Sequence, residues 1–260
     1  MNILVCVKRV PDTAENEIEI DKAGTDIERE DLVYSVNEWD NYAVEEAIQI
    51  RDKVGGSVTV VTVGDDEAEE VLRREMAMGA DNGVLLTDDA FAGADGRGIA
   101  TALMGAVKEG DYDLILTGAQ ADDGAGQVGG MLAALLDMPF ASLVNRIDID
   151  DDNARTITVG REIAGGNQEM NEMDLPCVLS IQTGINEPRY VGIRGIRKVA
   201  SVEIPAHGAS DLGVDVGAAK VKRIDYFVPE AGEGAEMLEG STDEIIAKLL
   251  DMLKAKGGIK

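Results

Sequence analysis

Asp113-Leu-Ile-Leu-Thr-Gly-Ala-Gln-Ala-Asp-Asp-Gly-Ala-Gly-Gln-Val-Gly-Gly-Met-Leu-Ala-Ala-Leu-Leu136 decides the fold of this chain. Asp113–Thr117 is a short apolar run of strand character. Residues 118–126 are a glycine-rich loop. Gln127–Leu136 then reads as a helix. A buried strand that feeds a helix through a glycine-rich turn is the repeating unit of a parallel sheet covered by helices.

The same alternation runs towards the N-terminus. Asn2–Val7 is an apolar strand, and Ser57–Val63 reads as a strand buried on both faces. Gly83–Thr87 is a third strand before Asp113–Thr117. Between them lie three helical stripes: Ala43, Val44, Ala47, Ile48 and Ile50; then Ala68, Val71, Leu72 and Met76; then Ile99, Leu103, Ala106 and Val107 within Asp95–Glu109. Gly55-Gly56 and Gly79 end the first two helices. Asn37 is expected to cap the first helix with Asp40 as an acidic capping-box partner, and Asp65 or Asp66 to cap the second. Within the polar stretch Pro11–Asp31, Glu17-Ile18-Glu19-Ile20 alternates like an exposed strand.

Beyond Leu136 the style changes. Ala141–Ile149 is strand-like, and Thr156–Arg161 and Glu169–Asp174 flank Gly165-Gly166-Asn167 as an antiparallel hairpin. Pro176–Ile181 is another buried strand, and 183–200 shows no clear period. The end of the chain carries an amphipathic helix over Asp243–Leu253. The expected architecture is α/β: a mostly parallel, doubly wound, Rossmann-like sheet with an added hairpin and a C-terminal arm. Residues 1–229 form the nucleotide-binding domain, with the hairpin at 155–175 and a loop at 183–200. Residues 230–260 form a linker and an amphipathic helix that folds back or packs on a partner subunit.

Composition narrows the function. Against 24 Lys and Arg stand 50 Asp and Glu, a net charge of −26. Phosphate backbones are repelled by such a surface, so nucleic acid is excluded as a partner. The chain is not disordered by this charge, because 45% of it is hydrophobic and falls in periodic blocks. Dense surface carboxylates are the pattern of adaptation to high salt. No apolar run is long enough for a membrane span, and the opening MNILVCVKRV enters a strand without a signal-peptide layout. Two cysteines, Cys6 and Cys177, sit in separate apolar runs, which suits inert thiols in a reducing cytoplasm. His207 is the only histidine, so neither a histidine metal site nor a Ser-His-Asp triad is expected, and no catalytic residue or metal ligand is assigned.

Gly124-Ala-Gly126-Gln-Val-Gly129 spells a G-x-G-x-x-G. In a dinucleotide fold the first glycine follows the strand directly. Here the strand ends near Thr117, and Asp122 and Asp123 would face a pyrophosphate. An NAD-dependent enzyme is therefore a minor alternative, as is a homodimeric stress-type nucleotide module. Two readings of the loop stay open: bare N–H groups that cradle a phosphate, or a plain loop with Asp caps. Lys8-Arg9 after the first strand meets an anion or simply ends the strand in solvent. Trp39, the sole tryptophan, reads as core, as do Met76 and Met78.

Several motifs together resemble one family. ILVCVKRVPD at the start is similar to LVAVKRVxD, and Asn37-Glu-Trp-Asp-Asn-Tyr-Ala-Val-Glu-Glu-Ala47 to NPxDxxAVEEA. Leu72-Arg-Arg-Glu-Met-Ala-Met-Gly-Ala-Asp81 resembles LRxALAMGAD, and Leu114–Met131 the pattern LVLxGxQAxD…QxGxM. Val159–Gly166 running to Leu175-Pro176 resembles xREIDGG…LP, and Asn186-Glu-Pro-Arg-Tyr190 is NEPRY. By these motifs the chain is identified as a member of the electron transfer flavoprotein β-subunit family, over essentially its whole length.

The resemblance implies a heterodimer with an α subunit that holds most of the FAD. It implies AMP in this chain, or a second FAD in electron-bifurcating members. Electrons would pass from acyl-CoA or other dehydrogenases to a quinone oxidoreductase. Nucleotide contacts carried over fall on Cys6, Asn37, Glu38, Trp39, Asp40, Val63, Gly118, Asp122, Asp123, Gly124, Ala125, Gly126, Gln127, Val128, Gly129 and Gly130. The N–H groups of 124–130 would hold the phosphate. Glu162 is implied to lie near the α-subunit flavin. Asn186, Glu187, Pro188, Arg189, Tyr190 and Ile193 are implied to dock a redox partner, with Ile193 as the inserted residue. This chain departs from the pattern at Glu38 and Trp39, at Thr13, in a loop one residue shorter, and in lacking a lysine run after Ile193.

Overall fold

The computed structural model describes residues 1–149, 155–230, 232 and 234–259. In chain order the elements are β1 (Asn2–Cys6), β2 (Arg9–Pro11), β3 (Tyr34–Val36), α1 (Glu38–Val54), β4 (Ser57–Val63), α2 (Glu69–Met78), β5 (Asn82–Leu86), α3 (Gly96–Lys108), β6 (Leu114–Gly118) and α4 (Val128–Leu136). They continue with β7 (Phe140–Asp148), β8 (Thr156–Ile163), β9 (Asn167–Asp174), β10 (Cys177–Ile181), α5 (Ile193–Val199), β11 (Ala206–His207) and α6 (Thr242–Ala255).

Strand side chains alternate between faces, and both faces of the central strands are apolar. Ile3, Val5 and Val7 join Leu114, Leu116, Cys177, Leu179 and the inward stripes of α1 and α2 in one core. Leu4, Cys6, Ile115 and Val178 join the stripes of α3 and α4 in the other. This two-sided burial is why these segments read as continuous apolar runs rather than alternating ones.

The sheet runs β11-β5-β4-β1-β6-β10-β7-β8-β9. Pairing is parallel from β11 through β7 and antiparallel from β7 through β9. From β1 the chain builds outwards through β4 to β5. The α3 crossover then returns it to the opposite side of β1, where it lays down β6. Strand order therefore reverses between β1 and β6, and open parallel sheets hold their ligands at the carboxyl end of such a point.

Several local expectations give way. Glu17–Ile20 is no strand; Ile20 makes one isolated bridge to Ile27. Neither Asp65 nor Asp66 caps through its side chain; a single 3-10 turn at Asp66–Ala68 leads into α2 instead. The aperiodic 183–200 segment contains α5. It lies on α2 so closely that a Cβ at Gly195 would sit 2.3 Å from the Ala77 carbonyl oxygen. β2 and β3 form a small antiparallel pair, Arg9 opposite Val36 and Pro11 opposite Tyr34. The hairpin turn places Gly165 and Gly166 at φ +83° and +71°, which glycine tolerates and other residues rarely do.

The chain divides into two compact units, Met1–Glu19 with Glu28–Ile224, and Ile20–Ile27 with Asp225–Lys260. In the second, the Tyr226 N–H donates to the Gly24 carbonyl at 2.8 Å. Its helix α6 opens with a capping box between Ser241 and Glu244. Ile246, Leu249, Leu250 and Leu253 of α6 are exposed.

Candidate functional site

The reversal point is built around one carboxylate. Asp40, in the first turn of α1, is 5% exposed. Its Oδ2 accepts the Lys8 backbone N–H at 2.8 Å, and its Oδ1 accepts the Gly118 N–H at 2.9 Å. It thus ties the end of β1 to the end of β6, across the two strands where order reverses. Burial pushes this carboxyl up to about 7, against the pull of its hydrogen-bond donors. The expected capping box is corrected: Asn37 makes no side-chain cap. Its Nδ2 instead donates to the Gln120 carbonyl at 2.8 Å, so Asn37 and Asp40 hold the glycine-rich loop rather than their own helix. Asn37 is 1% exposed, and its Oδ1 has no hydrogen-bond partner. A buried acceptor left unsatisfied costs about 1–3 kcal/mol, so the site suits a ligand that brings a donor.

Close packing explains the glycines. A Cβ at Gly118 would lie 2.3 Å from Asp40 Oδ1 and 2.7 Å from the Trp39 Cβ. At Gly129 a Cβ would lie 2.3 Å from Ser180 Oγ and 2.8 Å from Thr117 Oγ1, two hydroxyls that are themselves hydrogen-bonded at 2.8 Å. Gly126 has φ +62°, and a Cβ there would meet the Ala119 carbonyl at 2.8 Å. These three glycines let the loop turn back and press the start of α4 onto β6 and β10. Gly124 and Gly130 meet only ordinary contacts.

The first-turn N–H groups of α4, at Val128 to Gly130, have no carbonyl within the helix to bond, and the helix dipole adds positive potential there. Gly124 differs from the expected cradle, since its N–H donates to the Ala121 carbonyl at 3.0 Å. Asp122, Asp123, Ala125 and Gln127 are exposed. Lys8 Nζ pairs with Asp123, and Arg223 donates to the Asp123 carbonyl at 2.9 Å. Cys6 lies on the crevice floor, opposite Thr117 and Val61. Burial, reinforced by Asp40, raises its thiol far above the ordinary range, so it packs rather than reacts. Val63 ends β4 at the same edge of the sheet. N–H groups at a loop and a helix start, which suit an anion, therefore meet an orphaned buried acceptor, which suits a donor group, at one place.

The electron transfer flavoprotein domain family matches residues 25–212 of this chain. The chain is 38% identical to the electron transfer flavoprotein subunit beta of Thermoanaerobacterium thermosaccharolyticum, covering 98% of this chain and 99% of that one. It is 35% identical to the subunit of the same name from Bacillus subtilis, with 100% of both chains covered. The Acetobacterium woodii caffeyl-CoA reductase–Etf complex subunit CarD is 39% identical over 98% of this chain and 99% of its own. The chain belongs to the electron transfer flavoprotein β-subunit family.

The remaining family positions lie on β8 and on the segment that follows β10. Glu162 is exposed on β8, near the hairpin turn, and its Oε2 accepts the Gln182 Nε2–H at 3.2 Å. Trp39 is half-buried rather than core, and its Nε1–H donates to Gln182 Oε1 at 3.2 Å. The family's NEPRY segment turns out to divide its labour. Asn186 Nδ2 donates to the Tyr42 carbonyl at 3.1 Å and to Glu46 Oε2 at 2.9 Å. Arg189 grips the buried Glu45 with two guanidinium bonds, at 2.7 and 3.0 Å. Burial works to raise the Glu45 carboxyl, but Arg189 and Gln49 hold it below its ordinary value. Those residues fix the foot of the loop onto α1. Its tip is apolar and free in solvent: Tyr190 is 91% exposed and Ile193 67%. Glu187 is exposed and Pro188 half-buried between foot and tip.

Lys8, Gln120 and Gln182 are site-forming residues beyond those assigned from sequence. Lys8 carried a signal as a charge after the first strand; Gln182 carried none. Among the described residues no cluster of His, Cys, Asp and Glu could hold a metal ion, and no helix is long and apolar enough to cross a membrane.

Proposed function

We propose that this chain is the β subunit of a heterodimeric electron transfer flavoprotein and binds an adenine nucleotide in the crevice between β1 and β6. The observation that carries the reading is the Asp40 tie between the two strand ends, with the orphaned Asn37 acceptor beside it. In this reading the α4 N–H groups and those of Ala125–Gln127 hold the phosphate, and Asn37–Asp40 and Val63 flank the adenosine. FAD, held mainly by the α subunit, supplies the electron-carrying chemistry. The contribution of this chain is to bind, orient and dock. Glu162 presents a carboxylate towards the flavin, and Ile193 at the tip of the anchored loop engages an acyl-CoA or other dehydrogenase. Electrons leave towards a quinone oxidoreductase. One exposed apolar anchor on a fixed foot suits the small interfaces of transient redox encounters. A cytoplasmic location is part of this reading through the family assignment, and the 50 acidic residues support work in high salt.

The test is to co-purify the chain with its α subunit and extract the nucleotides. One FAD and one AMP per heterodimer are expected. Two flavins would instead place the protein with the bifurcating type, with the second FAD in this crevice. A complex without any adenine nucleotide would refute the site.

A further inference from the structure

Gln182 follows β10 at the carboxyl edge of the sheet, and its side chain touches both Trp39 of α1 and Glu162 of the hairpin. Its Oε1 accepts two N–H groups, from the Trp39 indole at 3.2 Å and from the Thr183 backbone at 3.0 Å. Two donors on that atom settle which end of the amide is oxygen. The Nε2 end therefore faces Glu162 as a donor, 3.2 Å from Oε2. The backbone of Gln182 is held as well, its N–H donating to the Val144 carbonyl at 2.8 Å. That contact falls where the β10–β7 and β7–β8 registers both shift, beside Leu143 at φ +56°. Bulges of this kind re-aim side chains next to functional sites.

We infer that Gln182 is a positioning residue: it holds the Glu162 carboxylate towards the flavin and links it, through Trp39, to the helix start that binds the nucleotide. This rests on the reading of Glu162 as flavin-facing. The link needs an N–H donor at position 39, which the Trp39 indole supplies. An amide that donates to a carboxylate spreads its negative charge. Loss of the donor leaves a more concentrated charge, or a carboxylate that wanders, beside the flavin. Added negative charge on reduction is then less well tolerated.

The experiment is a double-mutant cycle in the co-expressed heterodimer, read as the flavin's reduced-to-oxidised ratio at equilibrium with a reference dye. Gln182→Met should lower that ratio by about threefold, the low end of the net worth of a hydrogen bond. Gln182→Asn keeps the amide one methylene too short and should do the same, which guards against a folding defect in the first variant. In a Glu162→Gln background both substitutions should have no effect, because the path runs through that carboxylate. If Gln182→Met changes the ratio equally in both backgrounds, or leaves it unchanged while Glu162→Gln shifts it, the positioning role is overturned and Glu162 remains flavin-facing. If Glu162→Gln itself leaves the ratio unchanged, the underlying reading of Glu162 is refuted and the relay falls with it.

Discussion

Glu75 offers a quantitative test of the packing on the α2 side of the sheet. It lies on α2 with 0% exposure, and neither carboxylate oxygen has a hydrogen-bond partner. Arg74 Nε is 4.0 Å from Oε1, too far for a hydrogen bond, and its own side chain is mostly in solvent. The charged groups that act on Glu75 are Arg74 and, from α1, Asp40; β4 and β5 contribute no titratable residue, and the cations of α5 (Arg194, Arg197 and Lys198) are exposed. Burial, with Asp40 adding to it and Arg74 opposing, raises the carboxyl from 4.5 to about 8. The folded protein thus holds a proton that the unfolded chain releases above about pH 4.5. Stability from this group is intact below that pH and is lost as pH rises to about 8. At about 1.4 kcal/mol per pH unit, the cost is about 3 kcal/mol at neutral pH and about 5 kcal/mol once the group is fully ionised. Glu75→Leu removes the charge at similar volume, and the family pattern LRxALAMGAD has an apolar residue there. Urea unfolding in constant high salt at about pH 5, 7 and 9 measures the effect. The variant's advantage should grow across that range, to about 3 kcal/mol at neutral pH. Glu75→Gln should gain less, since a buried amide without partners costs about 1–3 kcal/mol. Parallel stability curves for wild type and Glu75→Leu would refute the reasoning.

Four further outcomes are expected. Asp40→Asn sets an amide against two backbone donors and should cost about 1.5–3 kcal/mol in unfolding free energy, with nucleotide lost on extraction. Gly129→Ala should destabilise by about 1–3 kcal/mol through overpacking against Ser180, and Ser180→Ala in the same chain should recover part of it, which paired denaturation curves would show. Ile193→Ala should slow reduction by the partner dehydrogenase in stopped-flow traces and leave nucleotide content unchanged; unaltered kinetics would count against the docking role. Sedimentation across a salt series should show the heterodimer weakening as salt is withdrawn, because screening shrinks to about 3 Å only at molar salt.

The parallel sheet was legible because its strands are apolar on both faces and its helices carry clear 3.6-residue stripes. Val58, Val60 and Val61 are all buried, as the run SVTVVTV suggests. The hairpin was legible from Gly165-Gly166-Asn167. Contacts between distant segments were not. Asn37 and Asp40 have the spacing of a capping box, and nothing local reveals that Gly118 and Gln120, about eighty residues away, compete for them and win. α5 escaped because it is only seven residues long and Gly195, demanded by contact with Ala77, breaks its stripe. Glu75 passed as one more charge in an acidic chain; only the fold shows that it is enclosed. The positions of the motifs marked the site, whereas the bonds that shape it are tertiary.

The division of the 186–196 segment into foot and tip has an evolutionary consequence. Asn186 and Arg189 are bound to α1 through Glu46 and Glu45, so a change there disturbs the helix that also holds the glycine-rich loop. Tyr190, Ile193 and Ile196 lie in solvent, 91%, 67% and 52% exposed. In the docking role proposed for this tip, substitutions at such exposed positions change recognition at little cost to folding. On that proposal, specificity for a redox partner can drift, or be engineered, independently of the scaffold, by rewriting exposed positions on an unchanged mount.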